Sequence, residues 1–109
     1  MAAVAQEDRF SFDDVFAGPG RYILKVRGNS MIENHIEDGD FVVIKKQETA
    51  HNGERVVAMI DNEVTLKRFY QERDHVRLEP ANGAMAPIIV DKSRDITIIG
   101  VLTGVLRKC

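Results

Sequence analysis

The chain has 109 residues, a length that suits one small domain. Its apolar fraction of 44% and charged fraction of 29% are ordinary for a globular protein, and its formal net charge of -2 excludes the strongly basic surface of a typical nucleic-acid-binding domain. No apolar run is long enough to span a bilayer, and the first residues lack the basic start and apolar core of a signal peptide. We therefore expect a cytoplasmic protein that makes no contact with a membrane.

Two parts of the chain differ in composition. Residues 1–20 are small, acidic or turn-forming and are predicted to form an irregular N-terminal arm. Phe10, Phe12 and Phe16 are expected to anchor this arm by hydrophobic contact. Residues 21–109 are predicted to form the folded domain.

Short strands separated by turns dominate the second part. Alternating or β-branched runs predict strands at residues 22–27, 41–44, 55–60, 64–70, 76–78, 88–90 and 96–106. Asp61-Asn62 predicts a tight hairpin turn, and Gly100 and Gly104 predict bulges or bends in the last strand. The only helical candidate is a turn at 31–35. The pattern predicts an all-β fold, either a sandwich or a partly open barrel, without a helix-turn-helix unit.

Metal and disulfide sites are not indicated. Cys109 is the only cysteine, so it cannot form a disulfide within the chain, and a reducing compartment fits best. His35, His51 and His75 lie in separate segments without the spacing of metal ligands. We expect no metal and no cofactor.

Ser30 follows the first predicted strand and stands just after Gly28 and Asn29. Glycine permits a sharp turn, and a helical turn after it would direct free backbone N–H groups toward the serine. The N–H groups of Asn29 and Ser30 are therefore candidate donors to an oxyanion. Serine at such a position also suits a helix N-cap, and these residues alone leave both roles open.

Lys67 lies in the predicted strand 64–70 with Thr65 and Phe69 on its own face. Burial of that face can lower a lysine pKa by up to about 3–5 units, enough to leave a neutral amine near pH 7. A strand lysine can instead extend to solvent, and the residues alone leave this open as well. If Ser30 and Lys67 meet in the fold, the lysine can activate the serine for cleavage of an acyl bond.

Residues 24–31 (LKVRGNSM) contain Ser30, and residues 63–68 (EVTLKR) contain Lys67. These two stretches resemble the C-terminal, self-cleaving domain of LexA-type repressors. Further similarity lies at residues 36–40, 52–54, 80–82 and 100–105. The resemblance covers nearly the whole chain from about Phe12 onward, and the two stretches stand at the separation that the family uses.

The resemblance implies a compact β-domain with serine endopeptidase activity, in which Ser30 is the nucleophile and Lys67 the general base. It implies a homodimer formed through the strand 96–106. It also implies a repressor of the SOS response that cleaves itself when a RecA filament on single-stranded DNA stabilises the reactive conformer. Operator DNA would be contacted only through a separate N-terminal domain.

The chain departs from these repressors at its start. They carry an N-terminal helix-turn-helix domain and cut an Ala-Gly bond that, aligned on Ser30, falls a few residues before Met1. Ala17-Gly18 is the one similar pair, and we interpret it as a turn because Pro19 follows. We therefore expect a natural cleavage product or a chain trimmed to its catalytic domain, without the scissile bond.

Three other readings share parts of this pattern. An UmuD-like accessory subunit of a translesion DNA polymerase has the same serine and lysine stretches but a short tail upstream, and a phage repressor is also compatible. A type I signal peptidase also uses a serine followed by methionine and a lysine base, but the sequence has no membrane anchor. The upstream part of the full gene separates the repressor from the polymerase subunit.

Overall fold

The structure is a computed structural model that describes residues 3–5, 20–91 and 93–107. Strands dominate these ranges. In chain order the elements are β1 (Ala3–Ala5), β2 (Arg21–Arg27), a 3₁₀ helix (Ile32–Asn34), β3 (Phe41–Lys46), β4 (Arg55–Ile60), β5 (Glu63–Gln71), β6 (His75–Glu79), β7 (Ile88–Asp91) and β8 (Ile96–Leu106). No helix in these ranges is long and apolar enough to cross a membrane.

The strands form one antiparallel sheet in the order β1-β2-β3-β8-β4-β5-β6-β7. β1 pairs with β2 and also with β5, where Ala3 lies opposite Thr65. The six strands from β1 to β5 in this order therefore close into a ring, and β6 and β7 extend beyond it from β5. The prediction of an all-β fold is confirmed, in the form of a partly open barrel.

Local sequence explains the turns and bulges. Asp61 and Asn62 both have positive φ, 50° and 66°, as expected for a two-residue hairpin turn that matches the twist of β4 and β5. The β3–β8 ladder shifts register next to Gly104, and the β4–β8 ladder shifts next to Gly100. A Cβ atom at Gly100 would overlap the backbone of Lys45, so only glycine fits this close approach. The predicted hairpin and bulges are confirmed.

Buried side chains lie on both faces of the sheet. The first cluster contains Leu24, Val26, Met31, Ile36, Val42, Ile44, Val57 and Leu66, the second contains Val56, Ala58, Ile60, Phe69, Leu78, Val90 and Val101, and a small third contains Ile23 and Val43. Met31 and Ile36 flank the 3₁₀ helix and are at most 1% exposed. They anchor the segment between β2 and β3, which carries Ser30, to the first cluster.

The structure differs from the prediction within residues 1–20. Ala3–Ala5 form β1, although this segment was expected to be irregular. A three-residue strand has no periodic signal of its own, and it forms here because β2 and β5 both offer a strand edge. Phe10, Phe12, Phe16 and Cys109 lie outside the described residues. The boundary between arm and domain at residue 20 stays a prediction.

Candidate active site

Ser30 lies in a segment of residues 28–40, here called the Ser30 loop, which leaves β2 and returns at β3. Gly28 has a φ of 85°, which bends the chain sharply out of β2. Its N–H donates to Asp38 Oδ1 at 2.7 Å, so the carboxylate closes the base of the loop. The bend places Ser30 inside the protein, where the residue is 0% exposed.

Lys67 lies in β5, opposite Val56 of β4, and it is only 1% exposed. Burial lowers the pKa of Lys67 to about 8, because an ammonium loses favourable hydration in the interior. The carboxylate of Glu63 raises this pKa, but its effect is smaller than that of burial. Of the two orientations left open by the sequence, the buried one is observed.

The structure brings Ser30 and Lys67 together across 37 positions of sequence. Lys67 Nζ lies 3.0 Å from Ser30 Oγ, within hydrogen-bond distance. Nζ also contacts the Thr65 hydroxyl at 2.5 Å and the Leu66 carbonyl oxygen at 3.3 Å. A lysine held among hydroxyl and carbonyl oxygens is oriented toward the serine, and in its neutral form it can accept the serine proton.

The predicted oxyanion donors lie on the same turn. Within the described ranges, neither the Asn29 N–H nor the Ser30 N–H donates a hydrogen bond to the protein. A buried N–H without an acceptor is unusual, because it costs free energy in the folded state. The Ser30 N–H, on a fully buried residue, is thus available to an incoming oxygen atom.

Several residues that hold this site were not recognised in the sequence. Arg107 donates to both carboxylate oxygens of Asp40, at 2.9 and 2.8 Å, and to the His35 carbonyl oxygen at 2.9 Å. Asp40 is 3% exposed, and hydrogen bonds from Arg107 lower its pKa. Arg107 therefore joins the end of β8 to the Ser30 loop. The pairing of Phe41 with Leu106 places Asp40 opposite Arg107, and this register depends on the fold, so no local sequence pattern indicates the contact.

Thr65 and Asn82 also help to hold the site, and the sequence did not reveal their contacts. Thr65 was placed on the face of Lys67 by its spacing in β5, but its contact with Nζ was not predicted. Asn82 donates from Nδ2 to the Asn29 carbonyl oxygen at 2.9 Å, across 53 positions of sequence. No local pattern indicates this contact.

Open space adjoins the site on the side of Thr65. A cavity of about 140 Å³ is lined by Ile60, Asp61, Glu63, Thr65, Ile88 and Arg94. Arg94 Nη2 donates to Asp61 Oδ2 at 2.7 Å at its rim. Among the residues that the structure describes, no group of three or more histidine, cysteine, aspartate or glutamate side chains could hold a metal ion.

A buried serine in contact with a buried lysine of lowered pKa is an arrangement that serine peptidases use. The sequence profile described as "Peptidase S24-like" matches residues 1–103, and the chain belongs to this peptidase family.

Three curated relatives show which proteins of known name the chain resembles. The LexA repressor of Alkaliphilus oremlandii is 50% identical over 103 residues, which cover 94% of this chain and 48% of that protein. The LexA repressor of Leptospira biflexa serovar Patoc is 50% identical over 95 residues (87% and 46%), and that of Thermotoga petrophila 47% identical over 104 residues (94% and 52%). These matches confirm the resemblance to LexA-type repressors. The chain spans about half the length of the curated relatives it matches.

Proposed function

We propose that this chain is the self-cleaving serine endopeptidase domain of a LexA-type transcriptional repressor. The observation that carries the proposal is the 3.0 Å distance between Lys67 Nζ and Ser30 Oγ in a buried site. The identity of about half the aligned residues to LexA repressors supports a repressor over the polymerase subunit and the signal peptidase.

The geometry supports a mechanism with a Ser-Lys dyad. Neutral Lys67 accepts the hydroxyl proton as Ser30 Oγ attacks the carbonyl carbon of the scissile peptide. The carbonyl electron pair moves to the oxygen, and the N–H groups of Asn29 and Ser30 donate to this oxyanion. Collapse breaks the C–N bond, and Lys67 gives its proton to the leaving amine. Water then hydrolyses the acyl-enzyme, with Lys67 again as the base.

The pKa of Lys67 determines how much of the protein is reactive. With a pKa of about 8, roughly a tenth of the molecules carry a neutral Lys67 at pH 7, and most do so one unit above the pKa. We therefore expect the cleavage rate to rise about tenfold per pH unit below 8 and to level off above it.

The position of β1 supports cleavage within the same chain. Ala3 pairs with Arg27, three positions before Ser30, and with Thr65, two positions before Lys67. A segment joined upstream of β1 is therefore tethered beside both catalytic side chains. Such proximity replaces affinity for a free substrate and supplies much of the rate.

The proposal includes the partners that the resemblance implies. In the described part of the chain, β4 pairs with β8 as far as Val101, while β3 pairs with β8 as far as Leu106. The second edge of residues 102–106 is available for pairing with the same strand of another copy. We further propose that a RecA filament on single-stranded DNA stimulates cleavage in the cytoplasm, as part of the SOS response. Operator DNA is bound by a separate N-terminal domain.

The test is self-cleavage of this chain extended upstream by the corresponding segment of the Alkaliphilus oremlandii relative. At about pH 9, Ser30→Ala and Lys67→Ala should each lower the rate constant by roughly three orders of magnitude or more, because each removes one member of the dyad. Both variants should keep a cooperative thermal transition. Mass spectrometry of the products gives the rate and the cut bond.

Matched controls are Ser93→Ala and Lys45→Ala, which remove the same groups from exposed positions. They should cleave at the wild-type rate. Undiminished cleavage by either dyad variant, or a wild-type rate that falls steadily as the pH rises from neutral, would contradict the proposal.

A further inference from the structure

The peptide between Asn29 and Ser30 carries two groups that point in opposite directions. The Asn29 carbonyl oxygen and the Ser30 N–H belong to the same planar trans peptide. Whatever holds the carbonyl oxygen therefore also sets the direction of the N–H. Two donors hold it: the Ile32 N–H at 3.2 Å and Asn82 Nδ2 at 2.9 Å.

The orientation of the Asn82 amide follows from its other contact. Its Oδ1 accepts the N–H of Ala84 at 2.9 Å, which only an oxygen can do. The Nδ2 group is thereby directed at the Asn29 carbonyl oxygen. Of the two amide orientations, this is the one in which both ends of the side chain are bonded.

The segment around Asn82 is docked on the 3₁₀ helix by bonds that do not involve the Asn82 side chain. The Glu33 N–H donates to the Ala81 carbonyl oxygen at 2.7 Å, and the Gly83 N–H donates to Glu33 Oε2 at 2.6 Å. These two bonds hold residues 81–83 against the Ser30 loop. The Asn82 donor is therefore free to act on the Asn29–Ser30 peptide alone.

We propose that Asn82 is a positioning residue that aims the Ser30 N–H at the oxyanion of the reaction, and this inference rests on the proposed function. When Ser30 Oγ bonds to the carbonyl carbon, its proton goes to Lys67 Nζ and the carbonyl electron pair goes to the oxygen. The Ser30 N–H donates to that oxygen. In this role Asn82 acts only by fixing the plane of the peptide, through its bond to the Asn29 carbonyl oxygen.

The experiment uses the chain as it stands and diisopropyl fluorophosphate as the probe. Ser30 Oγ bonds to phosphorus, fluoride leaves with the electron pair of the P–F bond, and the serine proton passes to Lys67. The product is a tetrahedral phosphoryl group whose oxygen occupies the place of the oxyanion. The labelling rate constant, its pH dependence, and the amide resonance of Ser30 in the labelled protein are the three measurements.

Two variants distinguish loss of the Asn82 Nδ2 donor from disruption of the turn that Asn82 Oδ1 holds at Ala84. Asn82→Asp keeps an oxygen for the Ala84 N–H but loses the donor to Asn29, and Asn82→Ala loses the donor without adding charge. Both should label about tenfold more slowly, as expected for loss of one orienting hydrogen bond. In Asn82→Ala the midpoint of the pH profile should stay at the wild-type value. The downfield shift of the Ser30 amide proton on labelling should be smaller in both variants.

Asn52→Asp is the matched control, because Asn52 Oδ1 only accepts the Gln71 N–H, which aspartate can also do. It should label at the wild-type rate. Wild-type labelling rates in both Asn82 variants overturn this inference and leave the proposed function standing. A shifted pH midpoint in Asn82→Ala, an unchanged Ser30 amide shift, or an equal loss in Asn52→Asp overturns it as well. Failure of the wild-type chain to label at Ser30 overturns both.

Discussion

Lys67 and Ser30, the proposed base and nucleophile, are held by different kinds of structure. Lys67 lies inside β5, whose backbone pairs with β4 on one edge and with β1 and β6 on the other. Ser30 lies in a loop that no strand ladder holds along its length. Its position depends on hydrogen bonds donated by Asn82 and Arg107, on the Gly28 N–H bond to Asp38, and on two buried anchors.

This difference separates two effects of mutation. The fold itself places Lys67 and buries its amine, so burial of the amine lowers the free energy of unfolding. The loop is placed by specific contacts, so their removal should lower the reaction rate and leave the pKa of Lys67 unchanged. Substitutions at Lys67, Arg107 and Thr65 test this separation, in order from the largest expected effect to the smallest.

The largest expected effect is the stability cost of Lys67. Its pKa is about 8 in the folded state and about 10.5 when exposed, so the unfolded state holds the proton more tightly. The free energy of unfolding should therefore rise between pH 8 and 10.5 by about 3 kcal/mol, and below pH 8 the full cost is present. Lys67→Met should abolish this rise and be the more stable protein at pH 7. Urea unfolding at several pH values measures the difference between the two proteins.

The control for that comparison is Lys46→Met, at an exposed position of β3. It should keep the pH dependence of the wild-type protein. An unchanged slope in Lys67→Met would show that the fold does not hold the amine away from water.

A smaller effect is expected at Arg107. Arg107→Gln leaves the buried carboxylate of Asp40 without its bidentate partner, which should lower the free energy of unfolding by about 2 kcal/mol, less than for a fully buried pair because Arg107 is half-exposed. The labelling rate of Ser30 should fall several-fold, while the midpoint of its pH profile stays near 8.

Arg77→Gln provides the matched control, since Arg77 bridges Glu72 and Glu79 on the surface of β6. We expect it to lower the free energy of unfolding far less than Arg107→Gln does, and to leave the labelling rate unchanged. A shifted pH midpoint in Arg107→Gln would contradict the expectation that contacts of the Ser30 loop leave the pKa of Lys67 unchanged.

The smallest effect is expected at Thr65. Its hydroxyl accepts a hydrogen bond from Lys67 Nζ, which favours the ammonium form. Thr65→Val should therefore lower the pKa of Lys67 by up to about one unit and move the labelling profile to lower pH. Thr65→Ser keeps the hydroxyl and should retain the wild-type midpoint. A midpoint that rises in Thr65→Val would contradict this role of the hydroxyl.

Local sequence pattern was sufficient to predict most of the strands. Period-two alternation and β-branched runs indicated β2 to β8, and Gly100 and Gly104 indicated the irregularities of β8. β1 could not be predicted, because three residues carry no period and their pairing depends on edges supplied by residues 27 and 65. The order of the strands also depends on long-range pairing rather than on local sequence.

The site, like the fold, could be predicted only where local sequence indicates it. The residue types and flanking sequence indicated Ser30 and Lys67, but whether the lysine is buried depends on how the sheet closes. The bonds from Asn82 to Asn29 and from Arg107 to Asp40 join residues 53 and 67 positions apart. Such contacts form only when the chain folds, and they leave no periodic pattern in a single sequence.

The short strand β1 has a consequence for local opening of the barrel. It is three residues long, and its pairing with β5 joins Ala3 to Thr65, so closing the ring fixes a long loop for few hydrogen bonds. We therefore expect release of β1 to cost much less free energy than global unfolding, so that amide hydrogens in this pairing exchange before those of β4 and β5. Release also uncovers the edge of β5 beside Lys67, where another extended segment can pair in its place.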